Sequence, residues 1–221
     1  MTLANPLPVS EFWDLLRPQE VLFQDFEPVQ IDRTASGQIL KASAGDSLWQ
    51  GTVTIYPDTD YTRAMRLEAR LSVAARAGMS VLAYDHRRKY PADDPTGSKL
   101  GAATPTIWTV PDNRRLRLQG LPENYVITDG DLIGLTYGSS PVRYSLHRVV
   151  VGGTATNTGA PNDFGTPIME VTPFLPPEAA VDVAVSLIKP SIKVSVTDAN
   201  FGGGVAGRVL GPSFSFAQTM R

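Results

Sequence analysis

Within the stretch Leu48–Tyr56, residues 49–55 alternate between two faces. Trp49, Gly51, Val53 and Ile55 fall on one face of an extended chain, and Thr52 and Thr54 on the other. Alternation with a period of two predicts a strand with one buried face. Glu20–Glu27, Ile39–Lys41, Met79–Tyr84, Thr106–Val110 and Arg115–Leu121 also read as strands. A denser run follows: Asp131–Tyr137, Val142–Val150, Pro167–Pro173 and Val183–Lys189, jointed by Asp129-Gly130-Asp131, Gly138–Pro141, Gly152-Gly153 and Pro173–Pro177. Short strands at this spacing between Gly and Pro turns predict a small β-barrel or sandwich. The strand pattern carries on through Pro190 to Val196, and Ser213–Gln218 sets Phe214 and Phe216 against Ser and Ala as a last strand returning to the first region.

Helical spacing appears in two places. Leu67, Leu71, Ala74 and Ala75 mark the core face of a helix over Tyr61–Ala77. Asp60 or Thr62 can cap its start, and Gly78 stands where a left-handed residue is wanted. A second, short helix is expected over Glu11–Leu16, capped by Ser10, stopped by Pro18 and burying Phe12, Leu15 and Leu16. Strand, helix and strand in succession make the first region α+β, whereas the region from Thr106 to about Pro177 is β only. Between them, His86–Thr104 lacks periodicity and is expected to be a long surface loop; loops of that length are usually functional or interaction arms.

Composition changes this picture mainly by exclusion. A chain of 221 residues, 42% hydrophobic and 19% charged, is large enough for one large or two small packed domains. Nineteen Gly and eighteen Pro suit a turn-rich β protein. The formal net charge of −2 argues against non-specific phosphate binding as the main task. With no Cys, disulfides, thiolate metal sites and thiol catalysis are excluded. The opening Met1–Pro6 has no basic stretch followed by an apolar core, and no apolar run approaches the roughly 20 residues of a membrane span. A chain made and folded in a cytosol is expected.

The candidate chemistry is sparse. His86 lies between Asp85 and Arg87-Arg88-Lys89, where a carboxylate could orient a general base; a turn or interface histidine amid cations is the plainer reading. Ser145 and His147 share a strand face, but a serine nucleophile needs a sharp exposed turn and an oxyanion hole, and no Gly-x-Ser-x-Gly occurs. Asp58/Asp60 and Asp129/Asp131 place carboxylates close together as hard cations prefer, yet neither extends into a full Ca²⁺ loop. Capping and a tight turn explain them more simply. Gly202–Gly207 lacks the Lys-Ser/Thr ending of a phosphate loop and reads as a flexible connector. Arg63, Arg66 and Arg70 share a helix face, Arg87, Arg88 and Lys89 follow, and Arg114, Arg115 and Arg117 flank a strand start. These could meet acidic partner surfaces or transient nucleic acid, or be solvated faces.

The order of these elements carries a resemblance. An early Phe12-Trp13 entry, Leu48–Ile55, and a helix ending Arg76-Ala-Gly-Met79 are followed by a strand with basic residues after it. A β module containing Gly130-Asp131 and Tyr144–Val149 comes next, then Val171–Pro176 and Lys189–Val194. This layout, over most of the chain, resembles the distal tail (Dit-like) proteins at the tail tip or baseplate of long-tailed bacteriophages and gene transfer agents. The resemblance implies a mainly β fold with an α+β core: a β-sandwich-like ring domain with one packed helix, from residues 1–104 and 183–221, and an inserted small β-barrel or sandwich module from residues 105–182. It implies a non-enzymatic structural virion protein, located at the tail tip after assembly in the host cytoplasm. Six copies would form a ring joining the tail tube to the baseplate hub, with a lumen for DNA in transit. Partners implied are the tube, hub and tape-measure proteins and a fibre or receptor-binding protein, with no membrane insertion, cofactor, metal or catalytic residue. Interface candidates are Trp13, Arg63, Arg66, Arg70, Arg87, Arg88 and Lys89, and the His86–Thr104 loop and Met1–Ser10 are expected to reach neighbouring subunits. Other classes remain open: a tube terminator or capsid decoration protein, a carbohydrate module stacking sugar on Trp108 or Tyr137 beside Asp129 and Asp131, or a hydrolase using His86 or His147.

Overall fold

The computed structural model of the protein describes residues 4–160 and 163–220. What the sequence suggested for Met1–Leu3 lies outside them. The chain is mainly β, with one α-helix among the described residues. Thirteen strands and the helix carry the architecture. The first part holds β1 (Pro18–Phe26), β2 (Val29–Arg33), β3 (Ile39–Ser43), β4 (Leu48–Ile55), α1 (Tyr61–Ala74) and β5 (Val81–Ala83). The second holds β6 (Thr106–Asp112), β7 (Arg115–Gln119), β8 (Leu132–Tyr137), β9 (Arg143–Val151), β10 (Met169–Thr172) and β11 (Ala184–Ser186). The chain then returns through β12 (Ile192–Asn200) and β13 (Ser213–Gln218).

The first sheet is antiparallel in the order β1, β4, β13, β12, β5. Its inner face is built by the alternation that the sequence announced: Trp49, Val53 and Ile55 of β4 and Phe214 and Phe216 of β13 are buried, with Phe23 of β1 and Val194 of β12. Gly51 completes the β4 face because a side-chain carbon there would run into the Leu22 carbonyl and the Phe216 ring. Helix α1 closes this core with Ala64, Leu67, Leu71 and Ala74. Asp60 caps it by accepting the Arg63 N–H at 3.1 Å, and Gly78 follows at φ +82. The helix stops at Ala74, so Ala75 is exposed rather than on the core face.

Glu11–Leu16 is not an α-helix. It forms two 3-10 turns, Val9–Glu11 and Trp13–Leu15, and Ser10 makes no cap. Six residues are too few to sustain an α-helix alone, and the local backbone is set by burial. Phe12, Trp13 and Leu16 go inward while Leu15 is half-buried. Trp13 packs edge-on against Phe216 at 5.4 Å, and its Nε1 donates to the Tyr84 carbonyl at 2.7 Å. Just ahead, the Leu7 N–H donates to the Ser80 carbonyl and its own carbonyl accepts from Leu82. The described part of the N-terminal segment therefore packs on its own chain.

The second part is a closed barrel in the order β9, β10, β7, β6, β11, β8, filled by residues such as Ile107, Leu116, Leu118, Ile133, Leu135, Val149 and Met169. The barrel is inserted between two hydrogen-bonded neighbours of the sheet. The chain leaves at Ala83 and re-enters at Ile192, and those two residues are paired across the β5–β12 ladder. The expected boundary at residue 183 needs correction, because Ala184–Ser186 is a barrel strand pairing with β8 and β6. The strand pattern through Pro190 hid a turn, in which Lys189 takes φ +46 before the chain re-enters the sheet.

His86–Thr104 is long but is not a free arm. Pro91, Asp94 and Leu100 are buried, and Leu100 belongs to the barrel core. Asp94 accepts the N–H groups of Lys99 and Leu100, and the Ala92 N–H donates to Asp131. Removing residues 92–103 would therefore disturb the barrel before it tested any contact between subunits. Barrel and sheet are joined by side chains that belong to both. Leu132 and Leu146 of the barrel pack in the core of the sheet, and Trp49 Nε1 donates to the Leu146 carbonyl at 2.7 Å. Arg148 lies over the Trp49 ring at 5.2 Å and pairs with Asp25 at 3.3 Å.

Candidate functional site

A large groove runs between the base of the β2–β3 hairpin, β9 and the stretch from Thr172 to Glu178, and holds about 1310 Å³ of open space. Ser145 and His147 line it, two residues apart on one pleat, as the sequence required. The Ser145 hydroxyl and His147 Nε2 are 3.0 Å apart, and His147 Nδ1 is 2.8 Å from the Pro173 carbonyl. A carbonyl can only accept, so Nδ1 carries the proton and Nε2 accepts from Ser145. Burial pushes the His147 pKa down to about 4, against the opposing pull of the Pro173 carbonyl, so the ring is neutral at pH 7. The pair has the hydrogen-bond order of a nucleophile and its base. Ser145, however, is 6% exposed in mid-strand, paired across the ladder with Leu135, and not on a sharp turn. Both ring nitrogens are satisfied, and the arrangement ties the Pro-rich stretch to the barrel wall.

His86 sits elsewhere and in a different setting from the one expected. Its ring stacks on Trp13 at 5.9 Å and lies 4.9 Å from Tyr84, at the seam where the chain leaves the sheet. Asp85 does not orient it; that carboxylate accepts the backbone N–H and guanidinium of Arg87. Burial, with Lys89 nearby, lowers the His86 pKa to about 4, and its buried Nε2 has no hydrogen-bond partner. The two histidines do not share a site.

The carboxylate pairs are also structural. Asp58 accepts the Asp60 N–H and both Nε and Nη2 of Arg63, and these bonds hold its pKa at about 2. Asp131 is buried and accepts the N–H groups of Ala92 and Thr128 and the Thr128 hydroxyl, while Asp129 accepts from the Gly152 N–H. Among the described residues no cluster could hold a metal ion. The glycine-rich Gly202–Gly207 contributes to a small hairpin, Gly204–Val205 with Arg208–Val209.

Of the interface candidates, Trp13 is fully buried in the core of its own chain and cannot face a neighbour. Arg63 is engaged by Asp58, Arg70 by Glu11 at 3.3 Å, Arg87 by Asp85 and the Phe23 carbonyl, and Arg88 by Asp131 at 3.6 Å. Arg66 and Lys89 are exposed and make no ion pair among the described residues. Arg115 pairs with Asp112, while Arg117 covers the Trp108 ring at 4.0 Å and Arg114 covers Phe174 at 4.8 Å. Tyr137 is 5% exposed inside the barrel. Tyr137 therefore offers no ring to a sugar, and the Arg117 guanidinium occupies a face of the Trp108 ring.

The surface that stands out was only half visible in the sequence. β2 and β3 form an antiparallel hairpin that prolongs the β1–β4 ladder beyond the sheet, and every residue of both strands is exposed. Its register places Val29, Ile31 and Ile39 on one face with Arg33 and Lys41. The sequence pattern marks only Ile39–Lys41 of this hairpin as a strand. The alternation Val29-Gln-Ile31 before a turn at Gly37, which takes φ +84, was the signal for the rest.

No protein-family model matches the chain, and no curated protein matches it. No helix among the described residues is long and apolar enough to cross a membrane.

Proposed function

We propose that this chain is a structural subunit of a virion, at the tail tip of a long-tailed bacteriophage or gene transfer agent. Six copies form a ring that joins the tail tube to the baseplate hub and leaves a lumen for DNA. One observation carries the reading: the hairpin at residues 29–43 projects from the main sheet with three β-branched apolar side chains exposed on one face, Val29 at 46%, Ile31 at 58% and Ile39 at 52%. A two-stranded hairpin alone is marginal in water, and an apolar arm held out in this way suits a subunit made to be assembled. Two further features support the reading. The histidines and close carboxylate pairs are engaged in packing, caps and turns. The barrel, inserted between paired neighbours of the sheet, can project from a ring without interrupting its core.

Electron microscopy of the purified protein tests the reading. Six-fold rings around a tube-sized hole are expected. A uniform population of single compact particles would refute it.

A further inference from the structure

The arm has a counterpart on the same molecule. At the opposite end of β4, a shallow groove has a floor of Ile55, Leu67 and Val209 and a rim of Tyr56 and Leu210. The rim is exposed, with Tyr56 at 56% and Leu210 at 37%. Glu68 lines the helix side of the groove and makes no ion pair among the described residues. Tyr61, Met65 and Glu68 recur at i, i+4 and i+7, so two more exposed apolar side chains continue the rim along one face of α1. The neighbouring charges Asp58 and Arg63 pair with one another, and Arg17, the other cation of the lining, acts on Asp58.

We infer that the β2–β3 hairpin of one copy docks its Val29–Ile31–Ile39 face into this groove on a second copy, with Arg33 or Lys41 against Glu68. This inference rests on the ring-subunit reading and names the contact that builds the ring. The match is one of apolar surface and charge. An apolar face carrying Arg33 and Lys41 meets an apolar groove with Glu68 on its helix side, and none of these three makes an ion pair among the described residues. The two surfaces also lie at opposite ends of one strand. Eight residues of β4 separate them by about 25 Å at the usual rise per residue, so the hairpin points away from its own groove. A contact between unlike surfaces at opposite ends of a subunit is head-to-tail, and repeating it closes a ring or runs on as a filament. A second copy supplies the groove in a one-to-one ratio.

The test uses two variants at exposed positions, Ile31→Asp in the arm and Leu210→Asp in the groove. Their folding is checked by circular dichroism and melting, and their mass is measured by light scattering beside the wild type. Each variant alone is expected to be monomeric. An equimolar mixture should give a dimer and nothing larger, because only one intact arm and one intact groove remain. Lys41→Glu and Glu68→Lys should each weaken assembly, and the double exchange should recover it. If the wild type assembles and both aspartate variants keep its mass, the arm–groove contact is wrong while the ring reading stands. If the wild type is monomeric at every accessible concentration, the ring reading itself fails and the contact with it. Assembly only after a different protein is added, with the arm bound to that protein, also overturns the inference.

Discussion

Trp49 does more for this molecule than fill space. Its ring packs on Phe23 at 5.4 Å in the core of the sheet, and its Nε1 reaches the Leu146 carbonyl in the barrel. Trp49→Phe keeps much of the apolar contact but leaves a buried carbonyl without its donor, which costs about 1–3 kcal/mol; denaturant melts should show that loss. His147 makes a different prediction. Its folded pKa of about 4 lies below the ordinary 6.5, so the unfolded chain binds more protons between these values and stability falls as pH drops through that window. At about 1.4 kcal/mol per pH unit, the interval amounts to about 3 kcal/mol at most. His86 acts with the same sign, so the comparison that isolates His147 is wild type against His147→Gln. The stability gap between them should narrow, or reverse, from pH 6.5 to 4. For Asp94, burial acts to raise the pKa but the Leu100 and Lys99 N–H groups outweigh it and hold it below 3.8. Its contribution is present above that value and is lost only at lower pH, outside the histidine window.

At the scale of elements, stability and exposure separate cleanly. Leu71 is fully buried under the sheet, and Leu71→Ala should cost about 2–5 kcal/mol through lost contact and a cavity. Replacing residues 30–42 by a short glycine turn removes no buried side chain, so this variant should melt close to the monomeric Ile31→Asp chain. A large drop would mean that the hairpin supports its own chain. The same contrast explains what could be read from sequence. β4 and β13 were legible because one face of each is buried, which forces Trp49, Val53 and Ile55, and Phe214 and Phe216, to alternate with polar residues. α1 was legible from Leu67, Leu71 and Ala74. β2 was missed because both its faces meet solvent, so no burial pattern sharpened it. The Glu11–Leu16 turn was misread because the tertiary anchoring of Trp13, not local spacing, sets its backbone. The seclusion of Trp13 and the packing of His86–Thr104 were hidden for a similar reason. Both depend on residues far along the chain, Tyr84 and Phe216 for one and Tyr125 and Asp131 for the other.

At the scale of the whole molecule, the barrel is an excursion from the sheet but not an independent bead. Leu132 and Leu146 lie in the core of the sheet, and Lys189 of the return segment pairs with Asp14 at 2.9 Å. Unfolding should therefore be one cooperative transition in calorimetry, because exposing either half strips core from the other; two resolved peaks would contradict this. The molecule leaves its exposed apolar arm at one end of β4 and its exposed groove at the other. The most direct measurement is the mass of the purified wild-type protein in solution. A discrete species close to six times the 23.8 kDa chain is expected. A mass of 23.8 kDa that does not change with concentration would contradict it.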